Sequence, residues 1–310
     1  MALLINLKLK NKTMTKIIAE IGWNHMGDMS LAKEMIVAAA ENGADFAKFQ
    51  TWSVKRLKSG DWDVDGRREI YEKAELTLDQ HLELKGYCND NDIEFISSVF
   101  SLDDLELYKK VTNKTIKIPS FESRNKKLIK GLFSKSGKAY FNNIIVSVGT
   151  CSYYEIKNLI RSFQGLLIDN NQETKNANLS ILHCVSCYPC DPLKSNLERI
   201  NLLSNLNSNE IPFKVGYSDH CIGTEIAKMS LGYNINILEK HFTIDHSLPG
   251  RDNKFAILPE ELKQIKDTIN LQVEIKKNIN FHYDDSEIES RTKYPSRFSN
   301  VNKQTVRQGL

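Results

Sequence analysis

Short apolar runs rich in β-branched residues alternate with amphipathic stretches along most of the chain. This alternation is typical of βα units, in which each parallel strand is followed by a helix that covers it. Eight strands are predicted, at residues 16–22, 44–50, 94–100, 115–119, 144–148, 179–184, 213–217 and 235–242. Eight helices are predicted, at residues 30–42, 79–91, 102–111, 126–136, 152–163, 195–206, 224–231 and 259–275.

The number and spacing of these units predict the fold class. Eight βα units within about 260 residues favour a closed (β/α)8 TIM barrel of the α/β class. An open, doubly wound sheet is the structural alternative. The barrel is placed at residues 14–278, after an N-terminal extension or hairpin at 1–13 and before a short, linker-like tail at 279–310. A charged insertion at 53–77 follows the second strand, on the side where barrel loops bind ligands.

Composition narrows the classes of function. The 310 residues are 41% hydrophobic and 26% charged, with 42 Lys and Arg against 39 Asp and Glu. The resulting charge of +3 is too small to indicate nucleic acid as a partner. No apolar run is long enough to span a membrane, and the first residues do not resemble a secretory leader, so a cytoplasmic location is expected. The six cysteines are expected to be reduced.

Polar residues at the ends of predicted strands are the candidate chemistry, because a barrel builds its reactive face there. Side chains alternate along a strand, so Lys48 and Gln50 share a face and Phe49 points the other way. Lys117, between Ile116 and Ile118, repeats this pattern. An inward lysine near the rim indicates an anionic ligand, because a buried amine needs a partner. The alternative is that each lysine reaches outward to solvent or pairs with a rim carboxylate such as Glu20.

Two histidines close the seventh and eighth predicted strands. His220 and His241 would lie at the same level on neighbouring strands, about 4.8 Å apart, which suits two nitrogen ligands of one metal ion. Glu239 shares a face with His241 by the same alternation. A lone histidine is more often an ordinary core or rim residue, but the pair favours a metal site. With two protein nitrogens only, such an ion would keep positions open for water or substrate.

Cys184, Cys187 and Cys190 form a Cys-x2-Cys-x2-Cys run that overlaps part of an iron–sulfur motif. No Cys-Pro follows at the fourth position, so small apolar side chains at a strand end are the preferred interpretation. The lysines, arginines and serines at several strand ends, without a Gly-rich phosphate loop, indicate a small organic anion held by side chains. The residues by themselves therefore predict a metal-assisted barrel enzyme that acts on a phosphorylated or carboxylated metabolite.

Six segments, in order over residues 16 to about 270, also resemble the N-acetylneuraminate (sialic acid) synthase family. They are IIAEIGWNHMGDMSLAKEMIVAAAENGADFAKFQTW, IEFISSVFSLDDLELYKK, IKIPSFESRNKKLI, ILHCVSCYP, VGYSDHCIGTEIA and ILEKHFTIDHSLPGRDNKFAILPEEL. The resemblance implies a (β/α)8 barrel that condenses phosphoenolpyruvate with an N-acetylated hexosamine of the N-acetylmannosamine type. The implied product is a nonulosonic (sialic) acid, formed with release of phosphate.

Site roles follow from the resemblance by position. It implies that His220 and His241 hold Mn²⁺ or Mg²⁺, and that Glu20 and then Glu239 transfer protons, beside a catalytic Lys48. The implied phosphoenolpyruvate ligands are Lys48, Lys117, Ser98, Ser120 and Ser147. The implied contacts to the acceptor sugar are Glu20, Gln50, Glu122, Tyr188 and Asp252.

Many members of the family continue into a small antifreeze-like domain that supplies an arginine to the partner subunit's site, which makes a homodimer possible. Residues 279–310 are too short for that domain, so we expect it to be absent here. The arginine would then come from Arg56, Arg67, Arg68 or Arg251, or acceptor binding would be weaker. Two alternative functions remain: the same chemistry on a 2,4-diacetamido sugar, giving legionaminic or pseudaminic acid, or a non-catalytic barrel that binds phosphoenolpyruvate or metal.

Overall fold

Eight parallel strands close into a barrel in chain order in the computed structural model, which describes residues 14–134, 138–167, 177–207, 212–277 and 282–294. Each strand pairs with the next, and the last pairs with the first. The predicted (β/α)8 barrel is confirmed, and the open sheet is excluded. The strands are β1 (Lys16–Gly22), β2 (Phe46–Thr51), β3 (Glu94–Val99), β4 (Thr115–Ile118), β5 (Asn143–Ser147), β6 (Asn178–Cys184), β7 (Lys214–Asp219) and β8 (Ile237–His241).

Helices follow the strands in the described part of the chain. They are α1 (Met29–Glu41), α2 (Arg67–Ala74), α3 (Leu78–Asp90), α4 (Leu102–Val111), α5 (Lys126–Gly131), α6 (Tyr153–Leu167), α7 (Arg199–Leu206), α8 (Glu225–Ser230), α9 (Pro259–Lys277) and α10 (Ile288–Lys293). The sequence marks several of their starts. Asp28, for example, caps α1 by accepting hydrogen bonds from the amides of Ser30 and Leu31.

Two of the helices that differ from the sequence prediction have a clear physical reason. The helix predicted at 126–136 ends at Gly131, because the chain turns back there and Phe133 forms an antiparallel bridge with Ala139. Helix α2 lies inside the segment taken as a charged insertion, and it buries Ile70 and Ala74. Its two apolar positions are too few to stand out among the charged residues around them.

The two faces of the barrel strands carry different side chains. Outward residues such as Ala47, Phe49 and Ile116 join the main core between strands and helices. Inward residues form a separate apolar layer across the lower barrel. This inner apolar layer consists of Ile18, Phe46, Ile96, Ile145, Leu182 and Ile237. Gly216 belongs at this level because a Cβ there would lie 2.6 Å from the carbonyl oxygen of Ile237 and 2.9 Å from Leu182.

Two residues further along most strands, the inward positions become polar. This polar layer contains Glu20, Lys48, Ser98, Lys117, Ser147, Ser218 and Glu239, all of them buried. The carboxyl ends of the strands therefore carry the polar groups, as the alternation of side chains predicted.

The chain divides into two compact units, Met1–Asn270 and Leu271–Leu310. Within the described residues, the second unit contains the last residues of α9 and the short helix α10. The predicted N-terminal extension at 1–13 lies outside the described residues, as does most of the predicted tail. None of the described helices combines the length and the apolar character needed to cross a membrane.

Candidate active site

Two carboxylates and two amines from four strands meet inside the barrel mouth. Lys48 Nζ lies 2.6 Å from Glu20 Oε2 and 3.8 Å from Glu239 Oε2. Lys117 Nζ, on the opposite side of the barrel, lies 3.3 Å from Glu239 Oε1. Both lysines therefore face the axis, as predicted, and Lys48 also makes the pair with Glu20 that was the alternative interpretation. We call Glu20, Lys48, Lys117 and Glu239 the charged quartet.

Neutral groups hold this quartet in place. Gln50 Nε2 donates to Glu20 Oε1 at 2.7 Å, and Lys48 Nζ donates to Ser98 Oγ at 3.0 Å. Ser218 Oγ donates to Glu239 Oε1 at 2.8 Å. Sequence reasoning missed Ser218. The alternation of side chains along β7 places Ser218 on the inward face, so it could have been found in the same way as Lys48.

The charges of the quartet are unevenly balanced. Burial raises the pKa of Glu20, and the repulsion from Glu239 adds to this, while Lys48 opposes it. Burial also acts on Glu239, but Lys117 and Lys48 outweigh it, so its pKa is lowered. Burial lowers the pKa of Lys117 despite Glu239. An anionic ligand beside Lys117 would favour its charged form, so the quartet suits an incoming anion.

The two predicted metal ligands lie side by side above the quartet. The ring centres of His220 and His241 are 5.6 Å apart. His220 Nδ1 lies 2.7 Å from the carbonyl oxygen of Val185, so it carries a proton and leaves the other ring nitrogen as the acceptor. Burial lowers the pKa of both histidines, which keeps them neutral, and a neutral imidazole is the form that binds a metal.

The residues of this pair fit a divalent ion. Nδ1 of His241 is buried without a hydrogen bond, 3.4 Å from Asp252 Oδ2. The backbone carbonyl that anchors His220 is the usual outer partner of a metal-binding histidine. In the described part of the chain, no group of three or more His, Cys, Asp or Glu side chains is arranged to hold a metal. An ion here would therefore take its remaining ligands from water or substrate.

The candidate serines line the side of the mouth formed by β3 to β6. Ser147 Oγ is buried and has no hydrogen-bond partner among the described residues. Ser120 Oγ accepts from the amide of Gly149 at 3.0 Å and lies 3.0 Å from Cys184 Sγ. A side chain at Gly149 would collide with both of these groups, since its Cβ would be 2.5 Å from Cys184 Sγ and 2.9 Å from Ser120 Oγ.

The candidate acceptor residues are placed differently. Tyr188, 41% exposed, packs against His220 with ring centres 4.3 Å apart and ring planes tilted by 41°. Asp252 is buried, and burial raises its pKa to about 7. Glu122 is half-buried and accepts a hydrogen bond from Asn125 at the head of α5, at 2.7 Å. Tyr188 and Asp252 thus join the histidines, while the contact seen for Glu122 is to a helix cap.

The four candidate arginines all contact carboxylates in this structure. Arg56 pairs with Asp104, and Arg68 pairs with Asp63. Arg67 NH2 lies 2.6 Å from Asp65 Oδ2, and Arg251 NH1 lies 3.9 Å from the same oxygen. Asp65 therefore connects the segment after β2 with the segment after β8.

Cys184 and Cys190 of the cysteine run are buried, and Cys187 is exposed. Cys184 points to Ser120, whereas Cys190 forms a parallel bridge with Cys221. The three residues thus have separate surroundings, as small side chains at a strand end would.

A closed barrel with buried carboxylates, amines and imidazoles at the carboxyl ends of its strands defines a (β/α)8-barrel enzyme. Residues 35–279 match the model of the NeuB family. The chain belongs to the NeuB family.

Named relatives agree with this assignment. The chain is 33% identical over 262 residues to the N,N'-diacetyllegionaminic acid synthase of Campylobacter jejuni, covering 81% of this chain and 74% of the relative. It is 33% identical over 270 residues to the pseudaminic acid synthase of Helicobacter pylori, covering 83% and 74%. The crystal structure of N-acetylneuraminic acid synthetase from Leptospira borgpetersenii, in complex with citrate, superposes with a TM-score of 0.75 at 29% identity, covering 91% and 93%. The predicted family and enzyme class, a carbon–carbon bond-forming synthase, are confirmed.

Proposed function

We propose that this enzyme condenses phosphoenolpyruvate with the open-chain form of an N-acetylated hexosamine, of the N-acetylmannosamine type, to give a nonulosonic acid and phosphate. The observation that carries the proposal is the charged quartet directly beneath the pair of neutral imidazoles. In the reaction, C3 of the enol attacks the aldehyde carbon of the sugar. Water adds at C2, and phosphate leaves.

Phosphoenolpyruvate binds at the polar layer, beneath the two histidines. Lys48 and Lys117 supply the positive charge, and Ser98, Ser120 and Ser147 supply hydrogen bonds to its phosphate and carboxylate. Support comes from Lys117, whose pKa is lowered by burial and would recover beside an anion. The unpartnered hydroxyl of Ser147 supports the same placement, because a buried polar atom without a partner is costly.

His220 and His241 hold a divalent ion, Mn²⁺ or Mg²⁺, which when bound stabilises the negative charge that develops on the aldehyde oxygen. The protein fixes both rings for this role. Val185 sets the tautomer of His220, and the ring of Tyr188 covers it. Gln50, Tyr188, Asp252 and Glu122 are the proposed contacts to the acceptor sugar.

Glu20 and Glu239 have different roles in proton transfer and charge stabilisation. Glu20, with its raised pKa, is the first candidate for proton transfer to or from a substrate hydroxyl or water. Glu239 has a lowered pKa and stays ionised, which suits it to stabilise positive charge developing at C2 and to be the second candidate. Lys48 keeps the Glu20 carboxylate in place.

A second acceptor class has specific support. Two relatives at 33% identity are named for N,N'-diacetyllegionaminic and pseudaminic acid. A 2,4-diacetamido sugar is therefore the second candidate acceptor. A cytoplasmic location and a homodimer stay predictions.

An acceptor panel tests the proposal. The enzyme is incubated with phosphoenolpyruvate, Mn²⁺ and either N-acetylmannosamine or a 2,4-diacetamido hexose, and phosphate release is measured. We expect release with at least one acceptor, its loss with a chelator, and its loss in His220→Ala and His241→Ala. Calorimetric binding of phosphoenolpyruvate without product from any acceptor would instead identify a non-catalytic barrel.

A further inference from the structure

A buried ion pair lies on the outward face of β7 and β8, where the neighbouring side chains are apolar. Lys240 Nζ lies 2.7 Å from Asp219 Oδ2, and the two side chains are 2% and 0% exposed. The residues are also register partners across the two strands. Leu238 and Phe242, on either side of Lys240 on the same face, belong to the main core. A lysine at this position interrupts the apolar face of β8.

Stability does not explain such a pair. Desolvating two charges costs about as much as their attraction returns, so an apolar pair of similar volume is often equally stable or more so. Buried ion pairs have a better-attested use in fixing one geometry against alternatives. The geometry that this pair fixes is therefore its informative property.

Asp219 and Lys240 each precede one of the paired histidines in the sequence. Asp219 Oδ1 accepts from the amide of Cys221 at 3.0 Å and from the hydroxyl of Tyr217 at 3.1 Å. Lys240 Nζ also donates to the carbonyl oxygen of Cys221. The pair thus ties the backbone of Cys221, directly after His220, to the side chain of Asp219, directly before it.

The rest of His220 is fixed from the loop after β6. Its carbonyl oxygen accepts from the amide of Cys190 at 2.9 Å, and its Nδ1 is bound to Val185. His241 follows Lys240 directly, and its carbonyl oxygen accepts from the amide of Ile257 at 2.8 Å. Once the ion pair locks β7 against β8, little freedom remains in the separation of the two imidazoles.

The geometry points to Asp219 and Lys240 as positioning residues that set the separation of His220 and His241 for one divalent ion. The pair acts through the backbone, without touching the ion or the substrate. This inference rests on the metal role proposed above. It assigns a function to two residues that lie behind the site.

Metal affinity in the absence of substrates tests this role. Mn²⁺ binding is measured by calorimetry for the wild type, for Asp219→Asn/Lys240→Met and for Lys240→Arg. The double variant removes both charges and keeps an oxygen for the Cys221 amide. We expect its Mn²⁺ affinity to fall about 10-fold or more, the range seen for outer partners of metal ligands. Its Tm should stay close to that of the wild type, because both charges are removed together.

The conservative variant and a matched control separate positioning from general damage. Lys240→Arg keeps the charge, so its Mn²⁺ affinity should stay within about 3-fold of the wild type. Lys85→Met removes a lysine that donates to a backbone carbonyl, that of Val111, at 2.6 Å and should leave the affinity unchanged. In phosphate release, the double variant should need more Mn²⁺ for half-maximal rate but reach a near-normal kcat at saturation.

The measured Mn²⁺ affinities separate the positioning role of the ion pair from the metal role of the histidines. A folded double variant with wild-type Mn²⁺ affinity contradicts the positioning role alone. A wild type that binds no Mn²⁺ contradicts the proposed metal role and this inference with it. If the double variant does not fold, Tyr217→Phe replaces it, since it removes one donor to Asp219 and should weaken Mn²⁺ binding about 3-fold. Unchanged affinity in Tyr217→Phe would then overturn the inference.

Discussion

The inner apolar layer and the polar layer above it share most of the barrel strands, where their members are two positions apart, a rise of about 6.6 Å. The lower layer is closely packed, to the point that Gly216 has no room for a side chain. The upper layer places four charges together and leaves the Ser147 hydroxyl without a partner among the described residues. One set of strands can therefore stabilise the fold at one level and carry a cluster of buried charges at the next.

Lys117→Met, in the upper layer, should give the largest effect on activity relative to its effect on stability. We expect kcat for phosphate release to fall about 1,000-fold, because a positive charge beside the reacting anion is lost. The Tm should fall only slightly, because Lys48 and Ser218 still contact Glu239 once the Lys117 amine is gone. The check is to follow phosphate release and thermal unfolding on the same preparation. A large loss of Tm with little loss of kcat would show that Lys117 is a structural residue.

Leu182→Ala, in the lower layer, should lower stability and leave activity nearly unchanged. Leu182 is fully buried, so its truncation should lower the free energy of unfolding by about 3 kcal/mol through lost burial and a residual cavity. The kcat of the folded fraction should stay near the wild-type value. Urea unfolding and phosphate release measured together check this. An activity loss without destabilisation would mean that the two levels are not separable.

The outward face of β6 offers a smaller, pH-dependent test. Burial lowers the pKa of His183 to about 4, and its Nε2 lies 2.9 Å from the carbonyl oxygen of Ser195. Above about pH 6.5 the histidine is neutral in both the folded and the unfolded protein, so it contributes no pH dependence to stability. Between about pH 6.5 and 4 the unfolded chain takes up the proton first, so stability falls as the pH falls.

His183→Gln should remove this part of the pH dependence. Between about pH 7.5 and pH 5, the wild type should lose about 1–2 kcal/mol more stability than the variant. Urea midpoints at the two pH values provide the measurement, and the other histidines contribute equally to both proteins. Parallel losses in wild type and variant would show that His183 is not held neutral.

Alternation along single strands made much of this site predictable. Lys48, Lys117, His220 and His241 interrupt apolar strands at inward positions, so each could be placed on the mouth from its neighbours. The distance between Lys117 and Glu239 could not be predicted in this way. Those residues lie on opposite sides of the barrel, and their contact depends on its closure and on side chains that cross its axis.

Sequence reasoning did not assign a role to Lys240, for a different reason. Lys240 lies outward, where a charged residue in a sequence is ordinarily assigned to solvent, and only packing shows that its partner is Asp219. Local pattern gives the face of a strand or the presence of a motif. It does not give the partner when that partner comes from another unit.

The inner apolar layer also has a kinetic consequence. It gives the mouth a floor of apolar side chains, so among the described residues the space above it opens toward the rim. A ligand held between Lys117 and Glu239 rests near that floor, whereas Tyr188 is exposed at the rim. Whatever binds at the floor must enter before a ligand at the rim and leave after it. The closed floor thus imposes an order of arrival and departure on two molecules that share one entrance.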